Sequence, residues 1–349
     1  MENNNLEVSG GAIFEQGKQS IKVPVPVYIR SSASVVGTKE GKGPLGSLFD
    51  VVGVDDKFGC DTWEEAESTL QKEALTLAIG KAGLKNSDIR FLYAGDLLSQ
   101  SMASSFGLGD FGIPLMGVYG ACSTSALSLA VATMAIAGGM AEYAACVTSS
   151  HFASAEKEFR YPLAYGNQRP MSSTWTVTGS GAFVVSSVKS DKDRAMISGV
   201  TIGKIVDFGV KDSMNMGACM APAACDTIYR HLKDFGRIPS DYDRIITGDL
   251  GLVGQQAVIR MLSEKGYDIA ERHMDCGIEI YDKSQGVCAG GSGCGCAATT
   301  LSAYILKKLE EKEWKRVLFV PTGALLSKTS FNEGQSIPGI AHAIELVCP

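Results

Sequence analysis

Between Asp110 and Glu142 the chain carries no charged side chain. A stretch of that length is in principle long enough to cross a bilayer, which takes about 20 apolar residues. Its content argues against a span: Pro114 interrupts it, Gly, Ser and Thr recur, and its apolar residues are mostly alanine rather than large aliphatics. A buried helix of small residues, packed closely against its neighbours, fits better. Residues 113–119 (IPLMGVY) read as a strand closed by Gly120-Ala121. Ser123-Thr124-Ser125 supplies capping hydroxyls for a helix over about 124–139. Gly138-Gly139 stops that helix, and 143–148 (YAACVT) read as the next strand. Strand, tight turn, helix and strand in this order belong to a parallel sheet covered by helices.

The alternation extends along the chain. Residues 23–35 read as an extended entry segment and 36–62 as a Gly- and Asp-rich loop. Residues 63–82 form an amphipathic helix with Ala66, Leu70, Ala74, Leu77 and Ile79 inward and Glu and Lys opposite. Residues 89–94 make a short buried strand ended by Gly95-Asp96, 151–173 a polar loop, and 174–185 a strand, glycine turn and strand. The charged run 187–194 divides the chain into two similar halves, 1–190 and 191–349. In the second, strands at 196–208, 243–247 and 316–320 alternate with helices at 217–236, 250–265 and from Ser292 to Leu309, and the C-terminus reads as loop.

Composition narrows the function classes. The balance of 32 basic against 38 acidic residues gives a net charge of −6, with no basic run, which speaks against a nucleic-acid groove. Charged residues are 20% of the chain against a usual ~25%, and glycine is 40 of 349 residues, enough for many tight turns and close helix–sheet contacts. The ten cysteines sit partly inside apolar runs, which points to a reducing compartment. The first residues lack the basic stretch and apolar core of a secretory leader. Cys288, Cys294 and Cys296 lack zinc spacing, and Gly290-Gly291-Ser292-Gly293 is not followed by the Lys-Ser/Thr of a phosphate loop. Trp63 and Trp314 read as packing residues, whereas Trp175 is placed to line a cavity.

The residue with the clearest chemical promise is Cys122. At the mouth of a helix its thiol pKa would be lowered and its sulfur made nucleophilic; the alternative is a small residue filling a tight turn. The segments YGACSTSALSLAVATMAIAGG, STWTVTGSGAFVV and GGSGCGCAATTL resemble the thiolase superfamily, especially its ketoacyl synthase III branch. That resemblance implies a five-layered αβαβα fold and places Cys122 where the nucleophile stands. It also exposes a departure. The base histidine of that branch belongs in the turn 245–251, where this chain has Gly248 and Asp249, and its second polar catalyst belongs where Ala289, Gly290 and Gly291 stand. Of the histidines at 151, 231, 273 and 342, only His151 is placed near the cavity. Condensation needs donors for a thioester oxyanion and a base, so the expectation is a protein that is not an enzyme; the alternative is an acyl-thioester condensing or transferring enzyme using Cys122.

A narrower resemblance covers the chain from about residue 21 to its end. AGDLLSQ, SSHFASAEKEFRYPLAYGNQRP, ITGDLGLVGQQ and PTGALLSKTSFNEGQSIPGIAHAIE are similar to the AD family of stage V sporulation proteins in endospore formers. It implies a non-catalytic thiolase-like protein that binds dipicolinic acid, free or as its Ca²⁺ chelate, without a cofactor. It further implies work with membrane proteins of the same operon, in uptake during sporulation and release at germination. Cys122, Ser123, Asp96, His151, Trp175, Asp249, Gly291 and Ser292 are the expected ligand-binding residues. Backbone N–H groups at the helix start suit a carboxylate. Asp96 and Asp249 suit a calcium chelate, or else cap their own turns. A homodimer is expected, with its surface near the alanine-rich helix and the strand at 143–148. The chain is expected to be soluble and to sit peripherally on the inner spore membrane through its partners.

Overall fold

The computed structural model describes residues 14–159 and 169–349. The hydrogen-bonded ladder runs in the order His273–Asp275, Arg244–Thr247, Arg316–Val320, Ala343–Val347, Ala195–Thr201, Ser20–Val36, Gly179–Ser186, Tyr143–Ser150, Phe91–Gly95 and Leu115–Gly117. Read inward from either edge, the pairings are parallel, parallel, antiparallel and antiparallel, and the two sides meet where Ser20–Val36 pairs antiparallel with Ala195–Thr201. The entry segment is therefore the strand that joins the halves. Its register with Ala195–Thr201 shifts between Lys22 and Val27, across Pro24 and Pro26, which have no N–H to give to a ladder.

Period-2 alternation sorts the strand side chains into layers. Cys146, Phe183, Val185, Phe319, Ile344 and Leu346 point into one central cluster, which they share with Leu129 and Ile136 of the helix Thr124–Ala137 and with Leu301 and Ile305 beyond Cys294–Thr300. Their neighbours in the first half, Ala145, Val147, Ala182 and Val184, face outward onto Leu70, Ala74 and Ala78 of Trp63–Ala82. Leu318, Val320 and Ala343 face outward onto Ala224 and Ile228 of Met216–Phe235. Helix, sheet, paired central helices, sheet and helix make the expected five layers. The central layer is tight because both partners are small: a Cβ added at Gly181 would stand 2.7 Å from the Ala298 backbone.

The helix Trp63–Ala82 has the boundaries read from its sequence. Thr62 Oγ1 accepts from the Glu65 N–H at 3.2 Å while Glu65 accepts from the Thr62 N–H at 3.1 Å, and Gly83 closes the helix at φ +72°. Other expectations need correction. Residues 152–159 of the supposed loop are a helix, Phe152–Phe159, and residues 160–168 of that loop lie outside the described residues. The C-terminal stretch is not loop: it supplies Ala343–Val347, an interior strand of the ladder. The run at 113–119 yields only Leu115–Gly117, an exposed edge strand. The expected dimer surface is interior: Tyr143–Ser150 has a partner strand on each side, and the alanine-rich helix lies in the central layer.

Candidate functional site

The chain leaves Leu115–Gly117 and turns sharply into the central helix at Gly120-Ala121-Cys122-Ser123. Ala121 adopts φ +49°, which costs a residue with a Cβ. Local bonds hold the turn: Ser123 Oγ donates to the Gly120 carbonyl at 2.6 Å, Thr124 Oγ1 donates to the Ala121 carbonyl at 2.6 Å, and the Gly120 N–H donates to Thr124 Oγ1 at 3.0 Å. The second half backs the turn. Gly323 approaches so closely that a Cβ there would stand 2.4 Å from the Gly120 carbonyl oxygen, and Cys294 Sγ donates to the Ala121 carbonyl at 3.0 Å.

Cys122 is buried, and its neighbour is Asp249. Asp249 Oδ1 accepts from Thr322 Oγ1 at 2.7 Å and Oδ2 from the Gly293 N–H at 3.0 Å. Burial raises the Asp249 pKa to about 7 despite these bonds. Burial, together with the Asp249 carboxylate, pushes the Cys122 thiol well above its ordinary range. This corrects the expectation of a thiol activated by its helix: desolvation and a neighbouring anion outweigh the helix N-terminus. The two shifts together disfavour proton transfer from the thiol to Asp249. The four histidines are all engaged elsewhere. His231 meets Thr201 and Tyr242, His273 meets Thr247 and Gln255, His342 accepts from the Gly203 N–H, and His151 Nε2 meets the Asp56 carbonyl at 2.7 Å.

The cavity in front of Cys122 is closed down to about 20 Å³, room for about one water, by Leu97, Phe159, Met216 and Leu326, with Thr176 and Ser292 as its polar lining. Of the eight expected residues, Cys122 and Ser292 line it and Asp249 lies beneath Cys122. Ser123 is turned back onto Gly120. Gly291 pairs with Trp175 in a short parallel ladder, and its bare Cα leaves room for Ile280 and Tyr281. Asp96 caps its own turn, accepting from the N–H groups of Leu98 and Ser104 and from Ser104 Oγ at 2.6 Å. His151 and Trp175 lie outside the lining; the Trp175 ring stacks on Phe152 at 3.9 Å, with the Lys39 ammonium 4.3 Å and the Arg169 guanidinium 4.9 Å from its centre. Sequence reading missed the apolar lining residues Leu97, Phe159, Met216 and Leu326, and missed the polar Thr176 by one position, since successive strand residues face opposite ways. Asp96 and Asp249 are each taken up by protein donors, and among the described residues no group of three or more His, Cys, Asp or Glu is arranged to hold a metal.

Buried carboxyls extend beyond Asp249. Glu67, expected on the polar face of its helix, is fully buried, accepts from Ser149 Oγ at 2.9 Å and Ser154 Oγ at 2.6 Å, and is raised to about 8 by burial and then by Asp96. Burial also raises Glu40 to about 7 and Asp275 to about 6. Each folded value lies above the unfolded one, so at these four groups the native state holds more protons between about pH 4 and pH 8. Their contribution to stability falls as pH rises across that window, opposed below about pH 6.5 by His273 and His342, which burial lowers to about 4. Glu345 acts in the opposite sense. Burial pushes it up, but hydrogen bonds from His231, Tyr242 and Ser198 outweigh that and hold it at about 2, so its contribution is lost below about pH 4. The melting temperature is expected to be higher at pH 5.5 than at pH 8.5; scanning calorimetry showing the reverse would mean that these buried carboxyls are already ionised at neutral pH.

Layer order, elbow and paired halves define a thiolase-like fold. The solved 3-oxoacyl-[acyl-carrier-protein] synthase III from Aquifex aeolicus VF5 matches with a TM-score of 0.57 at 14% identity, covering 92% of this chain and 99% of that one. The acetyl-CoA acetyltransferase from Syntrophomonas wolfei matches with a TM-score of 0.58 at 13% identity, covering 93% and 100%. The chain belongs to the family of stage V sporulation protein AD (SpoVAD), whose sequence model matches residues 17–347. The stage V sporulation protein AD of Bacillus subtilis (strain 168) is 45% identical over 330 residues, 94% of this chain and 96% of that relative.

Proposed function

We propose that this sporulation protein is a non-catalytic, thiolase-fold receptor for dipicolinic acid. The observation that carries the non-catalytic reading is the pairing of a buried Cys122 with Asp249, where a condensing enzyme needs an imidazole. The ligand assignment rests on the family resemblance, and the elbow offers chemistry that fits: a polar lining of Thr176 and Ser292 beside a helix start. Entry of a flat dianion requires Leu97, Phe159, Met216 and Leu326 to move aside, because ligand pockets measure about 300–1,000 Å³. With Asp96 already bonded to its own turn and Asp249 to Thr322 and Gly293, the free acid suits the elbow better than its calcium chelate.

Calorimetric titration with dipicolinate, with and without Ca²⁺, tests the reading. Binding should saturate, weaken about tenfold in Ser292→Val through the lost hydroxyl contact, and weaken from pH 6 to pH 8 as Asp249 ionises. Absence of saturable binding sinks the ligand assignment; binding untouched by Ser292→Val moves it away from the elbow.

The same reading has the protein acting with membrane proteins of its operon, as a peripheral component of the inner spore membrane in uptake and release of dipicolinate. Among the described residues no helix is long and apolar enough to cross a membrane, and a net charge of −6 disfavours an anionic leaflet. Co-sedimentation with bare anionic vesicles would contradict docking through partners. A homodimer is part of the proposal, formed at the edge strand Leu115–Gly117, where Leu115, Met116 and Tyr119 are exposed. Light scattering that returns a monomer in the wild type, or a dimer unaffected by Met116→Glu, removes this part.

A further inference from the structure

At the end of the second half-sheet remote from the elbow lies an open groove of about 570 Å³. It forms where Arg316 begins its strand, Asp243 precedes Arg244–Thr247, and Val347 ends the last strand. The elbow and Asp249, by contrast, follow the carboxyl ends of Leu115–Gly117 and Arg244–Thr247. The groove is within the size range of small-ligand sites.

Its charges are unevenly committed. Asp243 Oδ2 accepts from the N–H groups of Lys315 and Arg316 at 2.6 and 3.0 Å, and Asp241 Oδ2 from the Ile238 N–H at 3.0 Å. Glu345, at the buried floor, accepts from Tyr242 Oη at 2.6 Å and Ser198 Oγ at 2.7 Å. One oxygen each of Asp241 and Asp243, and both of Glu345, are thus committed to protein donors. The arginines do not find equivalent partners. Arg237 Nε and Arg316 Nε are buried without a hydrogen bond, and their nearest carboxylate oxygens, both on Glu345, are 3.9 and 3.7 Å away. That is close enough to hold the two guanidinium groups on either side of Glu345 and too far to satisfy them. About a third of each side chain remains open to the groove, and Lys22 and Lys315 add two cations to its wall. Phe235 gives the groove an apolar face; its ring lies over Gly199, where a Cβ would stand 2.7 Å from it.

We propose that this groove is a second binding site, for a small organic anion whose carboxylate or phosphate group is held by Arg237 and Arg316 and whose body lies against Phe235. Guanidinium groups bind both oxyanions by charge-assisted, often bidentate hydrogen bonds. Glu345 is a positioning residue here: it orients the arginines and does not touch the ligand.

Calorimetry with the full-length protein tests the site, using succinate and inorganic phosphate as separate probes at low chloride concentration. At least one probe should bind saturably in the millimolar range or tighter, and the preferred probe identifies the head group. Arg237→Gln and Arg316→Gln should each weaken that probe by about tenfold, as expected for loss of a charged hydrogen-bond donor. Lys22→Gln, which removes only a wall charge, should weaken it less. Thermal melts check that the variants fold; if Arg316→Gln does not, Lys315→Gln with Arg237→Gln carries the test, because the first should weaken binding modestly and the second strongly. No saturable binding of either probe, or undiminished affinity in Arg237→Gln, overturns the proposal.

Discussion

Phe319→Ala is expected to lower the unfolding free energy by about 3–5 kcal/mol, the range for a large core aromatic cut back to a methyl group. Phe319 is fully buried and sits in Arg316–Val320, between Ile246 of one neighbouring strand and Ile344 of the other. Its ring belongs to the central cluster that both halves and both central helices share, so few side chains can move into the void without disturbing the interface between the halves. Urea unfolding followed by far-UV circular dichroism reads the loss as a shift of midpoint at constant slope. A shift worth less than about 1 kcal/mol would mean that the central layer is loose enough to collapse around the missing ring.

Gly295→Val is expected to have a still larger effect and to leave no natively folded protein. A Cβ at position 295 would stand 2.4 Å from the Gly179 carbonyl oxygen and 2.9 Å from Ser150 Oγ, and the Gly295 N–H donates to that same hydroxyl at 3.0 Å. The contact joins a central helix of the second half to strands of the first, and a backbone carbonyl in an interior strand has little freedom to yield. Gly266→Ala is the control. Gly266 has φ +84° but open space around its Cα, so only the conformational penalty of about 1 kcal/mol applies. Soluble, cooperatively melting Gly295→Val protein would show that this helix stands further from the sheet than a glycine contact requires.

The contrast explains which parts of the fold are legible in the sequence. Trp63–Ala82 announces itself through Thr62, Glu65 and Gly83, all local signals, and its ends can be read to the residue. The central helix is legible because alanines with capping hydroxyls and a double glycine have few other uses. Ala343–Val347 is not: AIELV is short, has no turn signals that separate it from loop, and becomes a strand only because Arg316–Val320 and Ala195–Thr201 flank it. Glu67 looks like a surface residue of an amphipathic helix, yet Ser149 and Ser154, some eighty positions away, supply its hydroxyl partners. The site divides along the same line. Cys122 and Ser292 follow from local motifs. The raised pKa of Cys122 depends in part on a carboxylate from the other half, and the turning away of Asp96, His151 and Trp175 depends on partners that no spacing reveals.

The most direct test of a disarmed elbow is intact-mass analysis of the full-length protein after incubation with acetyl-CoA at pH 7.5. A condensing enzyme of this fold would carry an acetyl group on the elbow cysteine; here the raised thiol pKa and the Asp249 carboxylate beside it predict an unchanged mass. An acetyl adduct that forms on the wild type and disappears in Cys122→Ala would show instead that the elbow cysteine is an active nucleophile.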